Sequence, residues 1–237
     1  MRGMILAAGL GTRFKPWTDA HPKALAVING KSLLQRNIEY LQQAGIDEVV
    51  VNVHHFAEQI TDAVDKNKGW GSKVFISDET NEVLETGGGL MKAASLLGDE
   101  VFLLMNVDIL TSLDLTAMIA AHRKLMPLAT LATTKRTTSR YFIFDHLDNL
   151  CGWRNVKTGE ERMMRTVVEK HDRAFSGVHV IDPKIFSLMK QKGKFSMVDV
   201  YLSLAAEQII KSFDHSDTRL IDVGKPEAVA FAERMFV

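Results

Sequence analysis

A short apolar run that opens straight into glycines is the strongest constraint on how this chain can fold. Met4-Ile5-Leu6-Ala7-Ala8 is followed by Gly9-Leu10-Gly11, and residues 3–8 read as a buried first strand. Strand-like and helix-like segments alternate after it, the pattern of βαβ units around a mostly parallel sheet. Ser32 is placed to cap a helix running through Ala44, with Leu33, Leu34, Ile38 and Leu41 on one face and Gly45 just past the end. Further strands are expected over residues 48–53, 73–77 and 101–105, and helices over 56–66, 90–97 and about 115–125. Residues 78–85 form an acidic loop that leads into Thr86-Gly87-Gly88-Gly89.

The second half changes character. Residues 141–145 and 150–153 alternate around Asp148-Asn149 as a hairpin does, and 163–168 and 175–181 read as strands. A short helix from Pro183 to about residue 191, an amphipathic helix over about 198–211, a short strand over 220–223 and a last helix from about Pro226 complete the pattern. The expected class is α/β, a mixed and mostly parallel central sheet with antiparallel additions. With 237 residues and 46% apolar content the chain can bury a large core, and one domain over 1–237 is expected, without repeat or linker.

Composition excludes several functions. The 29 basic and 29 acidic residues cancel, so no broad field draws the chain to nucleic acid or to an anionic membrane, and phosphate chemistry has to come from a local site. The single cysteine, Cys151, rules out an internal disulfide framework and a multi-cysteine zinc site. The apolar run before Gly9 is too short for a signal peptide, and nothing approaches the roughly 20 apolar residues of a membrane span. A cytoplasmic location is expected.

A strand running into glycines exposes consecutive backbone N–H groups at a sheet's carboxyl edge, where phosphates can approach closely. Arg13 and Lys23 would add positive charge there. Gly9-Leu10-Gly11-Thr12-Arg13-Phe14 lacks the third glycine of a dinucleotide fingerprint, and Asn52-Val53-His54 lacks the ribose-binding acid. No Gly-Lys-Ser/Thr follows Gly11, so a P-loop fails as well. A phosphate cradle and a plain turn both remain open on spacing alone.

The whole segment, with Gly-x-Gly-Thr-Arg followed by Pro16-x-Thr18 and Pro22-Lys23, resembles the signature of the sugar-1-phosphate nucleotidyltransferases, the nucleotide-sugar pyrophosphorylases. The resemblance covers residues 4 to about 227. It implies a Rossmann-like three-layer α/β/α nucleotide-diphospho-sugar transferase fold with no appended β-helix domain. It also implies that Leu6, Ala8 and Gly9 line the nucleoside, that the backbone of Gly11, Thr12 and Arg13 together with the Arg13 side chain binds the leaving pyrophosphate, and that Lys23 neutralises the α-phosphate. Leu84-Glu85-Thr86-Gly87-Gly88-Gly89 is most similar to the loop of the N-acetylmuramate 1-phosphate uridylyltransferase branch, which would place Gly87 against the base. Glu79 is the carboxylate suited to accept from uracil N3–H or guanine N1–H, which cytosine does not offer.

Asp108, after the fourth strand, and Asp222, in Asp222-Val223-Gly224, resemble the family's metal motifs and are the expected Mg²⁺ ligands, although Val107 replaces the usual glycine. Two carboxylates plus phosphate oxygens suffice for Mg²⁺. Glu169, in Glu169-Lys170-His171, and Gly177, in Phe175-Ser176-Gly177, resemble sugar-binding elements, with His171 in place of a proline. Arg136 and Arg140 lie on a polar stretch within reach of a carboxylate or phosphate, or serve only as surface charges. Asp114, Asp182 and Asp199 read as helix caps or turn residues, and His54-His55 as loop structure.

The expected reaction is transfer of a nucleoside monophosphate from an NTP, UTP first, to a sugar 1-phosphate, N-acetylmuramate 1-phosphate first. A guanylyltransferase for mannose or heptose 1-phosphate is the alternative, and a non-catalytic nucleotide-sugar sensor the alternative of another class. The partners implied are these small substrates, with no nucleic acid and no membrane, in a monomer or homodimer.

Overall fold

The structure, a computed structural model, describes residues 1–236. Strand β1 (Gly3–Leu6) leads through 3-10 turns at Thr12–Phe14, Trp17–Asp19 and Lys23–Leu25 to a small hairpin of β2 (Val27–Ile28) and β3 (Lys31–Ser32). Then come α1 (Leu33–Gln43), β4 (Glu48–Val53), α2 (Ala57–Lys66), β5 (Lys73–Asp78), α3 (Glu85–Lys92), α4 (Ala94–Leu97), β6 (Phe102–Asn106), β7 (Ile109–Thr111) and α5 (Leu115–Leu125). The second half holds β8 (Ala129–Thr134), β9 (Arg140–Asp145), β10 (Leu150–Asn155), β11 (Glu160–Met163) and β12 (Lys170–Ile181). It continues with α6 (Ile185–Leu188), α7 (Met197–Leu204), β13 (Ile210–Asp214), β14 (Leu220–Asp222) and α8 (Glu227–Met235).

The ends of these elements follow from their capping residues. The Ser32 side chain accepts from Gln35 N at 3.1 Å to start α1, and Asp114 does the same for α5 from Ala117 N at 2.9 Å. At α7, Ser196 accepts from Asp199 N at 3.1 Å and donates to the Asp199 carboxylate at 2.6 Å, satisfying an N–H that the helix itself leaves free. Past α1, Gly45 takes a φ of 73°, the left-handed conformation that glycine adopts at no steric cost.

The central sheet runs β11-β10-β9-β12-β6-β1-β4-β5, with β8 pairing β12 and β13. Strands β6, β1, β4 and β5 are parallel, and β12 joins antiparallel to β6, β8 and β9. Side chains alternate between two cores. Ile5, Val49, Val51, Leu103 and Met105 pack under α1, α2, α5 and α8, whereas Met4, Val50, Phe102 and Leu104 pack under α3, α4, α6 and α7. A strand buried on both faces reads as a continuous apolar run because period-2 alternation sends neighbours into different cores.

Three expectations are corrected, and one strand was not expected. The helix after the acidic loop begins at Glu85, not Leu90, so Gly87, Gly88 and Gly89 lie inside α3. The expected strand over 163–168 is instead β11, ending at Met163. The helix expected to reach residue 211 stops at Leu204, and Ile210–Asp214 is a strand parallel to β8. Strand β8 itself has no signal in the apolar pattern, because half of Ala129–Thr134 is threonine.

Candidate active site

The carboxyl edge of the parallel strands carries one row of neighbours: Leu6 on β1 stands beside Asn52 on β4 and Asn106 on β6, and Asn52 stands beside Ser77 on β5. Ligands of open α/β sheets settle at this edge. Here a cleft of about 360 Å³ is lined by Leu6, Ala8, Gly9, Lys23, Asn52, Glu79, Thr86, Asn106 and Asp108 among others. Six of the expected site residues, Leu6, Ala8, Gly9, Lys23, Glu79 and Asp108, therefore line one cleft.

The glycine loop is folded back on itself by the Pro-x-Thr element. Gly11 takes φ 60°, and a Cβ there would lie 2.8 Å from Thr18 Cγ2 and 3.2 Å from Lys23 Cβ. The buried Thr18 hydroxyl donates to Gly11 O at 2.9 Å. This contact draws residues 18–23 against residues 9–11 and delivers Lys23 to the cleft, where its ammonium pairs with Asp108. Thr12 and Arg13 form the exposed 3-10 turn that follows Gly11.

Asp108 and Asp222 converge although 114 positions separate them in sequence. Strand β14 pairs antiparallel with β7, setting Asp222 opposite Ile109, and Val223 N donates to Asp108 O at 2.8 Å. Asp222 is open to solvent and lines a neighbouring surface pocket together with Arg13 and Gly224. Its carboxyl is nonetheless raised above the ordinary aspartate value, first by the surrounding protein and then by Asp108, against the pull of Lys23, Arg13 and Arg136. One acid raised by its burial and by a second acid beside it, amid cations that each act on it, marks a site built around charge. Gly224 makes the approach possible, since a Cβ there would lie 2.6 Å from Asp222 Oδ1 and 2.9 Å from Arg13 Nη2. Val107, in the glycine's usual place, turns its side chain into the core under α1. Its carbonyl accepts from the buried Asn37 amide at 2.7 Å, fixing the peptide that carries Asp108.

The remaining expected residues are placed differently. Glu79 lies at the cleft floor but is only 1% exposed. Its Oε1 accepts from Asn52 at 2.7 Å and its Oε2 from Leu84 N at 3.3 Å, so the carboxylate also closes the 79–84 loop. Gly87 does not line the cleft. Its N–H donates to Phe195 O at 2.9 Å, and a Cβ would strike the Phe195 ring, so it is glycine for packing, while Glu85 and Thr86 face the cleft. Gly177 is buried against Asn106. Glu169 is exposed and precedes β12, about 25 Å along the strand from Gly177 at ~3.3 Å per residue, and Lys170 pairs with Glu161 at 3.1 Å. The Glu-Lys pair is therefore outside the cleft, because β12 carries it away.

Sequence reasoning missed Asn52. Its Oδ1 accepts from Ala7 N at 2.6 Å and Ala8 N at 3.3 Å, and its amide donates to Glu79. One polar residue inside the apolar run Val49 to Val53 was the available signal.

A glycine loop and paired aspartates at the carboxyl edge of a parallel sheet, with cations between them, define a nucleotide-transferring site. The family model described as nucleotidyl transferase matches residues 2–230, and the chain belongs to that family. Particular relatives narrow the class. The N-acetylmuramate alpha-1-phosphate uridylyltransferase of Caulobacter vibrioides is 30% identical over 238 aligned residues, covering 97% of this chain and 94% of the relative. The enzyme of that name from Neisseria meningitidis is 43% identical over 117 residues, 49% of this chain and about half (51%) of the relative. Among solved structures, HddC from Yersinia pseudotuberculosis complexed with GMP-PN superposes with a TM-score of 0.80 at 26% identity, covering 100% of this chain and 99% of that one. The chain is thus a nucleotidyl-transferring enzyme, and no described helix is long and apolar enough to cross a membrane.

Proposed function

We propose that the protein transfers the uridylyl group of UTP to N-acetylmuramate 1-phosphate, releasing pyrophosphate. The observation that carries this reading is the grouping of Lys23 and Asp108, which line the Leu6 to Gly9 cleft, with Asp222 and Arg13, which line a neighbouring surface pocket, the other three within electrostatic range of Asp222. An oxygen of the sugar 1-phosphate attacks the α-phosphorus. The new P–O bond forms as the bond from the α-phosphorus to the oxygen bridging to the β-phosphate breaks, and that oxygen leaves with pyrophosphate. The attacking phosphate is already ionised at neutral pH, so no general base is needed, and catalysis rests on positioning and charge neutralisation. The glycine-loop N–H groups and Arg13 hold the pyrophosphate, and Lys23 offsets charge on the α-phosphate.

The donor set suits Mg²⁺. Mg²⁺ takes one or two carboxylates and completes its shell from phosphates and water. Asp108 and Asp222 would hold it, and it would supply positive charge to the α-phosphate. The mutual repulsion of the two carboxyls is what a divalent cation relieves.

UTP and N-acetylmuramate 1-phosphate come first because the relative matched along nearly the whole chain carries that activity in its name. A guanylyl donor is the second reading, favoured by the GMP-PN complex of a structure with the same fold. Pyrophosphate release measured with UTP, GTP, CTP and ATP against N-acetylmuramate, N-acetylglucosamine, glucose, mannose and heptose 1-phosphates decides between them. The highest kcat/KM is expected for UTP with N-acetylmuramate 1-phosphate. A GTP optimum would select the second reading, and silence with every pair would point to a non-catalytic sensor.

A further inference from the structure

Strand β12 does not run straight past the cleft. Its pairing with β8 passes from Phe175↔Thr133 to His179↔Leu131, so four steps of β12 span two of β8. The bulge holds Ser176 and Gly177. Gly177 takes φ 75°, and a Cβ there would lie 2.9 Å from the amide of Asn106, a cleft residue. Buried Ser176 is fastened from behind, its Oγ 2.8 Å from His215 Nε2. Bulges of this kind re-aim a strand beside an active site.

Arg136 lies between β8 and β9, exposed at this bulge. Its Nη2 donates to Phe175 O at 2.7 Å, and among the described residues this is its one hydrogen bond. No carboxylate forms an ion pair with it there, yet Asp222 is the acid that acts on it most strongly. Three cations act on Asp222. Lys23 is already paired with Asp108. Arg13 arrives from the glycine loop, the side given to pyrophosphate. Arg136 arrives from the bulge, with most of its donor fork unspent. Lys170, beside Glu169, is paired with Glu161 outside the cleft.

We infer that Arg136 is the cation that receives the phosphate of the incoming sugar 1-phosphate, held at the cleft by Phe175 O and the Gly177 bulge. This rests on the proposed reaction. In-line displacement requires the entering and leaving oxygens on opposite sides of the phosphorus, so one guanidinium serves the leaving pyrophosphate and a second serves the entering phosphate. A guanidinium fork suits phosphate oxygens better than an ammonium does.

Steady-state kinetics in both directions test the assignment on the intact protein. In synthesis, Arg136→Ala and Arg136→Gln should raise KM for the sugar 1-phosphate at least tenfold and leave KM for the NTP within twofold. In pyrophosphorolysis the same variants should raise KM for the nucleotide sugar and leave KM for pyrophosphate unchanged, with Arg13→Ala showing the reverse pattern. Glutamine keeps a donor for Phe175 O, so recovery in Arg136→Gln, or an equal rise in both KM values, would reduce Arg136 to a structural residue and overturn the inference. A loss confined to acceptors that also bear a carboxylate, with a neutral sugar 1-phosphate unaffected, would overturn it too. Wild-type protein silent with every substrate pair would overturn the reaction itself, an outcome separate from active wild type with unaffected variants.

Discussion

The Asn52 amide donates to the buried carboxylate of Glu79 at 2.7 Å while its oxygen accepts from Ala7 N at 2.6 Å, so one side chain ties the end of β1 to the residue that follows β5. Replacing Asn52 by leucine keeps the volume and removes its hydrogen bonds, leaving two N–H groups and Glu79 Oε1 without a partner. Each orphan costs about 1–3 kcal/mol. Urea unfolding should show Asn52→Leu destabilised by at least about 3 kcal/mol, and Glu79→Gln by less, because its amide oxygen still accepts from Asn52. A loss below about 0.5 kcal/mol in Asn52→Leu, the scale of a neutral surface change, would remove the bridge from the account of the cleft.

Gly9 and Gly89 are expected to fail in opposite ways. No atom lies within 4 Å of a Cβ built at Gly9, so Gly9→Ala should keep its stability within about 0.5 kcal/mol. The added methyl narrows the nucleoside wall, and KM for the NTP should rise. At Gly89 a Cβ would lie 2.6 Å from Glu79 Oε1 and 2.9 Å from Asn52 Nδ2. Alanine gains about 1 kcal/mol over glycine inside a helix, but overpacking costs about 1–3 kcal/mol and here it also disturbs a buried carboxylate. The clash wins, so Gly89→Ala should melt lower than wild type, and an unchanged or higher Tm would refute the packing explanation for the glycine run.

These residues also show what a sequence discloses. Strands β1, β4 and β6 were legible because both their faces are buried. Strand β8 is equally buried, but two of its threonines are satisfied by partners on other elements, Thr130 by His122 at 2.9 Å and Thr133 by Ser212 at 2.7 Å, and no local pattern announces those. Strand β13 depends on β8 in turn, which is why the helix before it was expected to run on. In the site, Arg13, Lys23, Asp108 and Asp222 were readable as motif residues. The role of Asn52 follows from a row across strands, and the position of Glu169 from the direction of β12, neither of which spacing along the chain contains.

Asp222→Asn should separate catalysis from folding. The raised carboxyl of Asp222 means that its ionisation opposes folding once pH exceeds its folded value, so the neutral amide should leave metal-free stability at pH 7.5 unchanged or slightly higher. That gain should vanish in acid, where the wild-type carboxyl is protonated as well. Turnover in the pyrophosphate assay should fall at least a hundredfold, on the order of one lost charge-stabilising group, as it should in Asp108→Asn and Lys23→Ala. Near-wild-type kcat in these variants, with melting curves in EDTA showing a native fold, would remove the charge cluster from the mechanism.

Three buried histidines set the acid limit of the fold. Burial lowers His122 and His215 to about 4 and His179 to about 3. Each is wedged against a hydroxyl: Thr130 at 2.9 Å, Thr218 at 2.7 Å and Tyr201 at 2.6 Å respectively. The unfolded chain protonates all three near pH 6.5, so between about pH 6.5 and 4 it binds more protons than the native state. Stability is therefore fully present above the unfolded value and is lost as pH falls, by up to about 1.4 kcal/mol per pH unit for each histidine. Urea midpoints at pH 7.5, 6.5 and 5.5 should drop steeply over the last interval, and His122→Gln should reduce that slope by about one proton. The same slope in wild type and variant would mean that His122 is charged in the native protein, against its burial.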